Sequence, residues 1–265
     1  MMNAEIQAKR RPLPIGYQSF SDLREEGCYY VDKTPLIRQM TDEGRYYFLP
    51  RPRRFGKSLL VDTLQELFEG NEPLFQGLHI HPHWDWPVRH PVVRLTLDGI
   101  VSTPEELENR IANQLYKIEQ AFALKSLPSV HSAADRLENV LYFLHQKTGR
   151  QAVVLVDEYD KPVLDLLEDQ EMPRANRDRL RDVYSILKSS QKHVRFVFVT
   201  GITMFSKTRF SSGLNNLDDI SLYPSLASIC GYTDQDLDTV FAPELEGLDR
   251  GRIRTWYNGY SWLGA

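Results

Sequence analysis

Arg51-Pro52-Arg53-Arg54-Phe55-Gly56-Lys57-Ser58 separates an apolar run from a helical one, and its reading decides the fold. Before it, Tyr46-Tyr47-Phe48-Leu49 is short, aromatic and uninterrupted, the pattern of a buried strand. After it, Leu59, Leu60, Leu64, Leu67 and Phe68 recur at helical spacing as far as Gly70, a helix stop. A strand, a turn ending in Gly-Lys-Ser and then a helix is the layout of a phosphate-binding loop. The residue types suit an anion. Gly56 lets the backbone come close, the helix start presents unpaired N–H groups, Lys57 adds a point charge and Ser58 can ligate Mg²⁺. The candidate nucleotide contacts are therefore Arg53, Arg54, Phe55, Gly56, Lys57, Ser58 and Leu59. One feature departs from the usual loop, which opens with a glycine five positions before the second: Arg51 holds that place. Pro52 pushes Arg51 toward extended geometry. A basic turn capping an ordinary core helix would carry the same tripeptide, so the reading needs a second element.

That element lies about a hundred residues on. Val153-Val154-Leu155-Val156 is a fully apolar strand of the parallel-sheet kind, and it ends in Asp157-Glu158. Ligands of such sheets bind beyond the carboxyl ends of the strands. Asp157 there can hold Mg²⁺, and Glu158 can polarise an attacking water as general base. A strand followed by a solvated acidic turn is the alternative, but the upstream loop favours the nucleotide site.

Composition sets the outer limits. The chain has 265 residues, enough for one large domain or one domain with a small appendage. Its 32 basic and 36 acidic residues give a net charge of −4, which makes no global electrostatic case for nucleic acid. Cys28 and Cys230 are too few for a disulfide framework or a zinc site. No apolar run has the length of a membrane span, and the N-terminus lacks the apolar segment of a secretory signal. The expectation is a cytoplasmic protein.

Three stretches, LPIGYQSFSDLREEGCYYVDKTPLI from Leu13, YYFLPRPRRFGKSLL from Tyr46 and VVLVDEYDKPV from Val153, resemble the AAA-ATPase-like family of prokaryotic P-loop proteins. The resemblance runs from about Leu13 to Tyr260. It implies ATP and Mg²⁺ as cofactors, and it makes arginine at the first loop position a habit of the family. Members often carry a PD-(D/E)XK-type nuclease-like domain after the ATPase. The chain looks truncated before such a domain or naturally short, and no nuclease activity is assigned to it.

Elsewhere the stripes are core-facing. Val92 to Leu97 reads as a strand, and helices are expected over Pro104 to about Leu124 and Ala133 to Lys147. A strand lying between the loop strand and the acidic strand, with a glutamate after the aspartate, matches by fold analogy the additional-strand, catalytic-glutamate P-loop NTPases. His79, His81 and His83 alternate, so an extended backbone would align them for a metal; a polar loop over Trp84 and Trp86 is the favoured alternative. Arg174, Arg177, Arg179 and Arg181 invite a nucleic-acid reading, but the interleaved Asp178 and Asp182 favour a salt-bridged solvated face. Val194 to Val199 is the fourth strand, and Thr200 at its end, with Thr203 second, is placed to sense a terminal phosphate or orient water. Lys207 and Arg209 follow and can reach transition-state charge in the same or a neighbouring subunit; Arg209 is the catalytic candidate. The lead-in before the loop must pack beside it and can cover the base of a nucleotide.

The expected architecture is a three-layer α/β P-loop domain with a mainly parallel sheet over residues 1–224, then a small helical appendage over 225–265. The expected function is Mg²⁺-dependent ATP binding and hydrolysis, acting as switch or motor for an attached or partner nuclease-like module. The alternatives are a nucleotide-binding regulator with little turnover and a DNA-binding module. Beyond the nucleotide, candidate partners are nucleic acid, reached through another domain, and further copies of the chain; no membrane is expected.

Overall fold

The computed structural model describes residues 10–99, 101–125, 132–164, 172–203 and 216–257. In chain order the elements are α1 (Phe20–Glu25), α2 (Thr34–Glu43), β1 (Tyr46–Pro50), α3 (Lys57–Glu69), β2 (Val92–Thr96), α4 (Pro104–Ala121) and α5 (Ala133–Thr148). There follow β3 (Ala152–Asp157), α6 (Lys161–Leu164), α7 (Met172–Ser189), β4 (Val194–Gly201) and β5 (Asp218–Asp219). Three short helices end the described chain: α8 (Asp234–Thr239), α9 (Ala242–Leu245) and α10 (Arg250–Tyr257). The sheet has five strands in the order β2-β3-β4-β1-β5, and every pairing is parallel. The strand that separates the loop strand β1 from the acidic strand β3 in space is β4, whereas β2 forms an edge.

Side-chain alternation along the strands builds two cores. Phe48, Val154, Val156, Val197 and Val199 face one side and pack on α4, α5 and α7 through Leu107, Leu115, Leu137, Leu141, Leu180 and Leu187. Tyr47, Leu49, Val153, Leu155, Phe196 and Phe198 face the other and meet Phe20, Ile37 and the apolar stripe of α3. That stripe is Leu60, Val61, Leu64, Leu67 and Phe68, all buried, and at about 2 kcal/mol per side chain its burial contributes on the order of 10 kcal/mol before entropy. The helix that follows the loop is thus pinned along its length, which fixes where its first turn points.

Leu226, Ile229 and Cys230 lie in the same core as α3, while Phe241 makes a separate small cluster with Tyr29 and Val31 of the lead-in. Lys33 pairs with Asp236 at 2.8 Å, and the Tyr29 hydroxyl donates to Glu244 at 3.2 Å, so the last helices are moored on the first residues. Thr233 caps α8 in a reciprocal capping box with Asp236, as its sequence position predicts.

The three histidines do not align. Pro82 sits inside a 3₁₀ turn, His81–His83, so the backbone is not extended there. The rings of His79 and His83 meet at 4.9 Å, while His81 turns toward Trp86 at 5.9 Å. Among the described residues no three potential ligands converge on a metal position. Trp84 packs edge-on against Phe68 and Trp86 against Phe75, the surface-loop arrangement. On α7, Arg181 pairs with Asp178 at 3.0 Å and Arg179 reaches Glu108 at 3.7 Å. No helix of the described residues is long and apolar enough to cross a membrane.

Candidate functional site

The loop leaves the sheet at Pro50, and the Arg51 N–H donates to the Gly201 carbonyl at 3.0 Å. It turns through two left-handed residues, Arg54 (φ 67°) and Gly56 (φ 84°), before α3 begins at Lys57. Nothing crowds the missing Cβ of Gly56, so its role is conformational: it adopts the left-handed value that lets α3 start where it does. Ser19, Thr103, Ser132 and Thr233 cap α1, α4, α5 and α8 with their side chains. Gly56 supplies no such cap, and the first N–H groups of α3 keep their capacity for an anion.

Lys57 is buried, and its ammonium donates to the Pro52 carbonyl across the loop at 3.0 Å. Burial lowers its pKa; Asp157, then Cys230, Glu158 and Asp160, oppose the fall. The counter-charge is there because of strand alternation. Asp157 follows Leu155 and Val153 on the sheet face that α3 covers, so loop and acid share one face and one end. Val156 pairs with Val199, so one residue on Asp157 is level with Thr200. Asp157 is 2% exposed, and its Oδ1 is buried without a hydrogen-bond partner. A buried carboxylate oxygen with no donor is costly unless a cation completes it, and the hard oxygen donor fits Mg²⁺.

Glu158 sits in the following turn at φ 55° and is half-buried. Burial first, then the adjacent Asp157 charge, pushes its carboxyl above the usual range; Lys161 and Lys57 pull it back. That direction suits a general base, because a carboxylate with a raised pKa accepts a proton from water more readily. Thr200 is fully buried, and its hydroxyl donates to the Leu49 carbonyl at 2.5 Å, across the pair β1–β4. Arg209 and Lys207 lie outside the described residues.

A cavity of ≈ 1510 Å³ opens over the loop. Arg53, Arg54, Phe55, Gly56, Lys57, Ser58, Leu59 and Glu158 line one part of it. The lead-in lines another through Tyr17, Tyr30 and Lys33, and the C-terminal segment closes it through Cys230, Tyr232 and Arg254. The lead-in does pack beside the loop, and the space exceeds what a triphosphate alone needs.

Two residues near the loop have partners that the sequence reading did not assign. Arg51 turns away from the cavity: 2% exposed, it donates to the carbonyls of Pro50 (3.1 Å), Ser221 (3.1 Å) and Ala227 (3.2 Å). Asp160, also 2% exposed, accepts hydrogen bonds from Ile202 and Thr203. No local spacing marks either, because their partners lie far along the chain.

A parallel α/β sheet with an uncapped, glycine-started helix after β1 and a buried acid at the end of β3 has the make-up of a P-loop nucleotide-binding domain. The profile of the family described as predicted AAA-ATPase matches residues 14–211, and the chain belongs to that family. It is also 51% identical over 257 residues to an uncharacterized protein in the vnfD 5′ region of Azotobacter chroococcum mcd 1. That match takes in 96% of this chain and 49% of the relative, so the chain spans about half the relative's length. No solved structure matches the chain.

Proposed function

We propose that this chain binds ATP with Mg²⁺ and hydrolyses it. The observation that carries the reading is Asp157: a buried carboxylate with an unpartnered oxygen, whose charge acts on Lys57 at the start of α3. In this reading the first N–H groups of α3 and Lys57 take the β and γ phosphates, with Lys57 released from the Pro52 carbonyl. Ser58 and Asp157 would hold Mg²⁺, which when bound neutralises charge on the phosphate oxygens. Glu158, with its raised pKa, takes the proton of the attacking water. Thr200 acts from behind, through its carbonyl, which accepts the Tyr159 N–H at 3.1 Å. The strand between β1 and β3 and the glutamate after Asp157 support the additional-strand, catalytic-glutamate subtype. Turnover would serve as a switch or motor for a nuclease-like module, attached or separate; the twofold length of the relative is consistent with an attached one.

Nucleotide titration of the wild-type chain and of Lys57→Ala, with and without Mg²⁺, tests the binding. Lys57→Ala should weaken ATP binding by roughly 10²-fold or more, as loss of a charge-assisted contact to phosphate does. Glu158→Gln should keep the affinity and lower kcat by about 10²- to 10⁴-fold. Equal affinity in Lys57→Ala would refute the site. Arg53 and Arg54, both on the cavity wall and exposed, favour a second version in which product is held and turnover is slow. A burst of hydrolysis followed by a slow steady state marks that version; rapid multiple turnover eliminates it.

A further inference from the structure

The turn after β3 holds an unusual backbone. Glu158 lies at φ 55°, a region non-glycine residues rarely adopt, so its neighbours must hold it there. They come from the end of β4. The Tyr159 N–H donates to the Thr200 carbonyl at 3.1 Å, and its phenol donates to the Thr203 carbonyl at 3.0 Å. The Tyr159 ring is buried edge-on to Phe48, centroids 5.2 Å apart. Asp160 then accepts three hydrogen bonds on its Oδ2: from the N–H of Ile202 (3.0 Å), the N–H of Thr203 (2.6 Å) and the Thr203 hydroxyl (2.6 Å). Gly201 completes the fit, since a Cβ there would lie 2.5 Å from Asp160 Oδ1 and from the Tyr159 ring. The Lys161 N–H closes the turn on the Glu158 carbonyl at 3.1 Å.

We infer that Asp160 is a positioning residue: by gripping Ile202 and Thr203 it fixes the left-handed turn from which Glu158 faces the cavity. The inference rests on the reading of Glu158 as general base. The chemistry favours a carboxylate: besides the three donors on Oδ2, the Ile202 N–H lies 3.3 Å from Oδ1, so an amide that keeps its oxygen at Oδ2 turns its NH₂ group against that N–H. Asp160 does not line the cavity; its charge acts on Lys57 from a distance, and an effect by that route would show in ATP affinity rather than in kcat alone.

The test uses the full chain, with ATP hydrolysis and ATP affinity measured separately and folding checked by circular dichroism. Asp160→Asn should lower kcat by roughly 10²-fold, the cost of about an ångström of misplacement. Its affinity for ATP should stay within about 3-fold of wild type. The double variant with Glu158→Gln should be no slower than Glu158→Gln alone, because the clamp then has no base to position. Wild-type kcat in Asp160→Asn, affinity falling in step with kcat, or a double variant a further 10²-fold slower (roughly, as for independent effects) would each overturn the inference. Should Asp160→Asn not fold, Thr203→Val removes one donor and is expected to lower kcat about 10-fold, with Thr203→Ser retaining more turnover. Equal kcat in those two overturns it as well. If Glu158→Gln itself hydrolyses ATP at the wild-type rate, the base assignment falls and takes this inference with it. If Glu158→Gln is slow while Asp160→Asn is not, only the clamp falls.

Discussion

Replacing Arg51 by glycine would give the loop its usual first residue, and the structure says the protein should suffer for it. The guanidinium is 2% exposed and spans the Pro50, Ser221 and Ala227 carbonyls at 3.1 to 3.2 Å. Hydrogen bonds from an ionised donor net about 1.5–3 kcal/mol each, so losing the two long-range ones costs roughly 3–6 kcal/mol. Release of a buried charge to water offsets several kcal/mol of that. The glycine adds about 1 kcal/mol of backbone freedom to the unfolded chain. The net expectation is a loss of about 3 kcal/mol, a fall in Tm of roughly 6–12 °C for a chain of this size. Urea and thermal melts of wild type, Arg51→Gly and Arg51→Lys measure it. Lysine keeps the charge but lacks the fork that reaches three carbonyls, so Arg51→Lys should fall between the other two. An Arg51→Gly protein as stable as wild type, or more so, would refute the structural role of these hydrogen bonds.

Gly201→Ala should destabilise by about 2 kcal/mol or more, because the added methyl meets Asp160 and Tyr159 at 2.5 Å; an unchanged urea midpoint would contradict the packing. Arg136→Met should cost about 3 kcal/mol by leaving the buried Glu119 carboxylate without its bidentate partner, now at 2.8 and 2.9 Å, as read from denaturant midpoints. His90 and His193 are both held below the ordinary imidazole value of 6.5, by burial first. Below that value the unfolded chain takes up protons that the folded chain refuses, so stability should fall as pH drops through 6.5 toward the depressed folded values. Glu158 runs the other way, its folded pKa raised above 4.5, so ionising it at neutral pH works against the fold. Glu158→Gln should therefore melt slightly higher than wild type at pH 7 and lose that advantage near pH 4.

The sheet and its helices were legible because their signals are local. Tyr46–Leu49, Val153–Val156 and Val194–Val199 fall in strands, Val92–Leu97 overruns its strand by one residue, and the α3 stripe repeats every three or four residues as far as Gly70. The pairing of Gly-Lys-Ser with Asp157-Glu158 was legible too, since parallel sheets gather strand ends on one side. What hid was whatever depends on distant partners. Arg51 reads as loop charge until Ser221 and Ala227, some 170 residues on, claim it. The partner of the Thr200 hydroxyl, the Leu49 carbonyl across the sheet, has no mark in the local sequence. The alternation of His79, His81 and His83 would align them only on an extended backbone, and Pro82 sits in a 3₁₀ turn instead. The positive φ of Glu158 has no signature in its residue type.

The walls of the cavity over the loop come from opposite ends of the described chain, Tyr17 and Lys33 on one side and Tyr232 and Arg254 on the other. On the ribosome the phosphate loop therefore emerges long before its enclosure does. At about 5–20 residues per second, the roughly 200 residues from Lys57 to Arg254 take on the order of 10–40 s to synthesise. For that interval a nascent chain owns the cation and lacks the walls, so ATP capture should switch on late in translation, once α10 has left the tunnel and docked.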